Sequence, residues 1–227
     1  TLTEEGYDGV LAVHCEKNSF LRPDLWNPLN PRSHSYARPP ESELKSIYDQ
    51  LIFAVNLEFK GNLHIAHVSV PESIEAIEFA RSCSNIKITC GVTPHHCLLN
   101  YQTMPQDEKG LSYKVNPPLR DKTSSEKMLS LLKEGKINWI ETDHAPHTLT
   151  EKLNPPYMSG FPGLPFYPHF LDYLRANGFS NEQIKDLTHT NICNTFNINL
   201  PERNINPNME LHNEYEVDVY KNIREKK

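Results

Sequence analysis

Lys136-Ile137-Asn138-Trp139-Ile140-Glu141-Thr142 runs straight into Asp143-His144-Ala145-Pro146-His147. A short, largely apolar run that stops at polar residues is what a strand buried on both faces leaves in a sequence. The pattern occurs three times upstream. Gly9 to Val13 stops at His14-Cys15-Glu16, Leu63-His64-Ile65-Ala66-His67-Val68-Ser69 carries its own histidines, and Ile86 to Val92 stops at Thr93-Pro94-His95-His96. Between these runs the period changes. Leu44, Ile47, Tyr48, Leu51, Ile52 and Val55 recur at helical spacing over residues 43–58, and Pro71 opens a second helix through Ile74, Ile77 and Ala80. A third helix is expected near residues 124–132.

Buried strands alternating with amphipathic helices predict a parallel α/β architecture. Each predicted strand ends in polar groups able to bind a metal, as at the carboxyl-terminal mouth of a TIM-type (β/α)8 barrel. Such a barrel takes about 250 residues and eight strands, and roughly half that number of strands can be counted here. The expectation is a partial barrel over residues 1–195, incomplete at its amino end, with further helices near 166–176 and 181–187. Residues 196–227 are expected to form a tail. Within it, Met209 to Tyr220 alternates weakly, as a short outlying β segment would, and the polar end frays. Residues 17–42, rich in Pro, Asn, Ser and Arg, read as a long loop of the kind that covers a binding site.

Composition narrows the function. The 227 residues are 37% hydrophobic, enough for a sizeable core, and 29 acidic against 23 basic residues give a net charge of −6. With no basic stripe, nucleic acid is not an expected partner. No apolar run approaches the roughly 20 residues that cross a bilayer, and a cytoplasmic location is expected. The five cysteines are odd in number and form no CxxC pair, which predicts buried reduced thiols.

The 11 histidines cluster beside prolines, acids and threonines. Imidazole and carboxylate are common zinc ligands, and a catalytic zinc keeps one position open for water. His14, His67 and Asp143 stand at three different strand ends, which a parallel barrel brings to one mouth. Any one of these histidines alone reads as a hydrogen-bonded loop residue; three together point to a metal site. Asp143 could both bind a metal and shuttle a proton, while His147, in a Pro-stiffened loop, could face a substrate carboxylate.

Thr142-Asp143-His144-Ala145-Pro146-His147 resembles the signature that closes the active site of dihydroorotases, in the amidohydrolase superfamily. Val13 to Glu16, His64 to Ser69, Thr93 to His96, Asn116-Pro117-Pro118-Leu119-Arg120 and Gly160-Phe161-Pro162-Gly163 resemble successive segments of the same family. The resemblance spans roughly residues 10–195. It implies zinc as cofactor, with His14 and His67 on one ion and Asp143 on the other as general acid/base. It also implies that Asn116 and His147 position the substrate, and that backbone around Pro162 and Gly163 meets the dihydropyrimidine ring. His64 would be structural, and His95 and His96 would support or pack.

The implied reaction is the reversible cyclisation of N-carbamoyl-L-aspartate to dihydroorotate in pyrimidine synthesis, in a homo-oligomer. The family's opening His-x-His, the arginine and asparagine after it, and the bridging carboxylated lysine or aspartate have no counterpart upstream of His14. The second zinc site therefore loses most of its ligands and its bridging group, and the chain is expected to be the carboxyl-terminal part of a longer one. An allantoinase or hydantoinase would keep the barrel and change the cyclic amide; His147 favours a substrate with a free carboxylate. A non-catalytic scaffold docking on aspartate carbamoyltransferase is the alternative from a different class. The missing ligands favour it in a full-length chain, and retention of His14, His67, Asp143 and His147 favours a catalytic one.

Overall fold

The computed structural model describes residues 1–201 and 215–224. Four apolar runs form one parallel sheet in the order β1 (Val10–Val13), β2 (Asn62–Ile65), β3 (Lys87–Val92), β4 (Trp139–Ile140). Val10 pairs with Asn62, Asn62 with Lys87, and Gly91 with Trp139. Consecutive strands are therefore neighbours, and their carboxyl ends share one edge of the sheet. β2 is buried throughout, as its apolar run predicts, whereas β1 is only half-buried at the sheet's border.

Each crossover carries a helix. The segment between β1 and β2 holds α1 (Ser33–Ala37) and α2 (Pro40–Asn56); α3 (Pro71–Cys83) joins β2 to β3; α4 (Pro94–Leu98) and α5 (Lys122–Lys133) join β3 to β4. Local chemistry fixes these starts. Pro40 and Pro71 occupy first-turn positions where a missing N–H costs nothing. The Thr93 and Asp121 side chains accept from His96 N and Ser124 N. Beyond β4 come α6 (Leu149–Leu153), α7 (Tyr167–Ala176), α8 (Asn181–Lys185), a π-helical turn at Asp186–Thr190, α9 (Asn191–Phe196) and α10 (Lys221–Arg224).

Ile47, Leu51, Ala54, Leu63, Ile65, Ile74, Ile77, Val92 and Met128 form the centre of one core. Only one side of the apolar stripe on α2 enters it. Tyr48, Ile52 and Val55, predicted to be inward, are 41%, 52% and 38% exposed. The thiols also differ from expectation: Cys15, Cys90 and Cys97 are buried and free, but Cys83 is exposed and Cys193 half-buried.

The expected β tail needs correction. Residues 209–214 lie outside the described residues, and 215–220 contain no strand. Val217, Val219 and Tyr220 belong to the main core instead of an outlying unit. The Tyr220 ring stacks on Phe166 with centroids 4.0 Å apart, and its hydroxyl lies 3.2 Å from His95 Nδ1. Apolar burial outweighs the weak alternation, and polar Lys221–Arg224 closes as a helical turn where fraying was expected.

Candidate active site at the strand ends

Parallel pairing of β1 with β2 in register puts the residues after Val13 and Ile65 side by side. His14 Nδ1 lies 3.2 Å from His67 Nε2, with the rings edge to face. Two ligands of a tetrahedral zinc, each about 2.0–2.1 Å from it, are themselves about 3.3 Å apart. The two nitrogens fit as co-ligands of one ion. Asp143 follows β4, and the charges of both histidines act on its carboxyl. Among the described residues, however, no group of three or more His, Cys, Asp or Glu side chains is arranged to hold a metal.

His67 and Asp143 both have left-handed backbone, with φ of 36° and 42°. That conformation costs a non-glycine residue on the order of 1–3 kcal/mol and concentrates at functional sites. His67 Nδ1 is buried with no hydrogen-bond partner among the described residues. Burial pushes the Asp143 carboxyl up, as does the Glu141 charge, against the pull of His67 and His14.

The surrounding groups fix the two histidines. His14 Nε2 donates to Glu16 Oε2 at 2.9 Å, and Arg38 grips the same carboxylate through Nε and Nη2. Burial raises the Glu16 pKa, but bonds from His14 and Arg38 outweigh it and hold the group down at about 2. His64 bonds Glu141 at 2.5 Å and Thr89 at 3.0 Å, and stacks on Trp139. Glu141 also accepts from the His67 amide at 2.6 Å. His95 and His96 are buried; His96 Nε2 donates to Pro117 O, while His95 Nε2 has no partner among the described residues.

Pro162 and Gly163 are buried against the end of β4. A Cβ on Gly163 would sit 2.1 Å from Thr142 O, so only glycine lets this backbone approach the residue before Asp143. Asn116 Oδ1 accepts from His34 Nε2 at 2.9 Å, and His147 Nε2 donates to Ser159 O at 3.1 Å. Their loops are joined by Lys152, fully buried, whose Nζ donates to Lys114 O and Gly160 O. Lys114 Nζ in turn donates to Tyr157 O and Ser159 Oγ, and burial with the Arg38 charge lowers its pKa to about 8.

Glu16, Arg38, Glu141 and Lys152 had no role assigned from sequence. Glu141 carried a signal, because a carboxylate directly after a buried strand needs a partner. Arg38, in polar loop composition, and Lys152, in the short polar helix α6, carried none.

No protein-family model matches the chain. Among curated proteins, it is 34% identical over 198 residues to the dihydroorotase of Methanosphaera stadtmanae, covering 83% of this chain and 44% of that one. Against the dihydroorotase of Staphylococcus epidermidis it is 33% identical over 199 residues, covering 83% and 45%. The chain spans a little under half the length of these relatives. Among solved structures, a D-hydantoinase (dihydropyrimidinase) from Thermus sp. superposes with a TM-score of 0.74 at 22% identity, over 82% of this chain and 43% of that one. A dihydroorotase from Campylobacter jejuni gives 0.63 at 15% identity, over 88% and 50%. These neighbours are TIM-barrel amidohydrolases, and the four parallel strands with their helices are part of such a barrel. The strand-end histidines lie within a fold and a sequence relationship that point the same way: over four-fifths of its length the chain is similar to a part of dihydroorotases, which are cyclic amide hydrolases.

Proposed function

We propose that this chain supplies one side of the active site of a zinc-dependent dihydroorotase, which interconverts N-carbamoyl-L-aspartate and L-dihydroorotate in pyrimidine synthesis. The observation that carries the reading is the 3.2 Å approach of His14 Nδ1 to His67 Nε2 at adjacent strand ends. The relatives at 33–34% identity support the choice of substrate.

Zinc, when bound, lowers the pKa of water to about 7 and polarises a carbonyl. His14 Nδ1 and His67 Nε2 would hold it. Glu16 accepts the His14 Nε2 proton and so leaves Nδ1 free to ligate. Asp143 takes the proton of the attacking water and delivers it to the departing ring nitrogen. His147 and Asn116 orient the substrate carboxylate, and backbone at Pro162 and Gly163 lines the ring. The same reading makes the protein cytoplasmic and homo-oligomeric, able to dock on aspartate carbamoyltransferase.

The test is zinc-supplemented turnover of dihydroorotate, hydantoin and dihydrouracil, by the chain alone and extended by the coding sequence upstream of Thr1. Turnover of dihydroorotate that Asp143→Asn abolishes is the expected result. Preference for hydantoin would make the protein a hydantoinase, a reading the Thermus sp. neighbour makes worth including. Turnover of none by either form would leave the scaffold reading.

A further inference from the structure

Glu141 follows β4, yet its carboxylate serves β2, two strands away. Oε1 accepts from His64 Nε2 at 2.5 Å and from Trp139 Nε1 at 3.1 Å, and Oε2 accepts from the His67 amide at 2.6 Å. Between β4 and β2 lies β3, and the side chain passes it only because residue 91 is glycine. A Cβ there would sit 2.4 Å from Glu141 Cδ and Oε1 and 2.8 Å from Cγ. Gly91 pairs with Trp139 in the sheet, so the notch faces the point where Glu141 must cross.

What the carboxylate holds is the strained corner of the site. His67 has φ of 36°, and a charge-assisted bond to its N–H favours that backbone over relaxed alternatives. His64 is fixed on the same strand by Thr89 on one ring nitrogen and Glu141 on the other. Both ends of the β2 exit are thus tied to one side chain.

We infer that Glu141, seated in the Gly91 notch, is a positioning residue of the metal site: it clamps the end of β2 so that His67 Nε2 faces His14 Nδ1. The inference rests on the reading of His14 and His67 as zinc ligands. Glu141 acts on the site through His67, by holding the backbone that presents the ring.

Gly91→Ala and Glu141→Gln probe this from opposite sides. The first keeps the charge and displaces the carboxylate; the second keeps the shape and removes the charge. Zinc affinity of the full chain is measured by chelator competition for the wild type, both variants and His67→Ala, with hydrogen exchange of the His67 amide as a metal-independent readout. Each Glu141-directed variant should weaken zinc about 10- to 100-fold, as loss of a ligand's supporting hydrogen bond does, and speed His67 amide exchange. The double variant Gly91→Ala/Glu141→Ala, free of the steric overlap, should fold and show the same weakening. Wild-type affinity and exchange in Gly91→Ala and Glu141→Gln, with zinc lost in His67→Ala, would overturn the inference and leave the metal reading standing. Unchanged zinc binding in His67→Ala, or none in the wild type, would overturn the metal reading beneath it.

Discussion

Glu43 and Arg120 face each other 3.5 Å apart, with only 2% and 4% of their side chains exposed. Glu43 also accepts from the amides of Ser69 and Val70 and from the Ser69 and Ser73 hydroxyls. Arg120 donates to Ser69 Oγ and to Arg38 O. This buried pair ties the loop after His67 to the residue that grips Glu16. Removing one partner leaves a charge without compensation, so Glu43→Ala should destabilise the chain by about 3–5 kcal/mol. Replacing both residues by methionine removes the uncompensated charge but leaves the Ser69 and Val70 amides without their acceptor, so it should recover only part of that loss. Urea unfolding of the two variants beside the wild type measures it, and a single variant within about 1 kcal/mol of wild type would show the pair to be unimportant.

Lys152 gives stability a pH dependence. Burial, with the Lys114 charge, lowers its pKa to about 7, against about 10.4 in the unfolded chain. Between those values the unfolded state binds more protons, so stability rises with pH from about 7 to about 10. Below pH 7 both states are protonated and the full cost of the buried charge is present. Lys152→Met should flatten this rise. An equally steep profile in the variant would assign the dependence to another group.

Gly163→Ala tests the approach of the 160–163 segment to β4. Its Cβ would overlap Thr142 O, a backbone atom that cannot turn aside. Overpacking of this kind costs about 1–3 kcal/mol. Thermal unfolding reads the loss, and an unchanged midpoint would mean that this backbone gives way freely.

The strands were legible because each is a buried run with a polar stop, and their order followed from parallel crossovers joining neighbours. The helices were legible too, but not which side of α2 faces inward: Tyr48 and Ile52 are as apolar as Ile47 and Leu51, and only the neighbouring α3 decides between them. The role of Tyr220 was hidden for a similar reason, since its partners Phe161 and Phe166 lie more than fifty residues away. His14, His67 and Asp143 could be singled out as strand-end groups. The Glu141 clamp could not, because it depends on the sheet register and on a missing Cβ at Gly91 in a different strand.

The central claim is that His14 and His67 share one zinc ion. Zinc titration of the full chain, followed through the ring nitrogen resonances of both histidines, tests it directly. The expected result is about one equivalent bound, with His14 Nδ1 and His67 Nε2 shifting together and binding weakened tenfold or more in His14→Ala and in His67→Ala. Zinc that binds without moving either resonance, or no binding at all, would contradict the account.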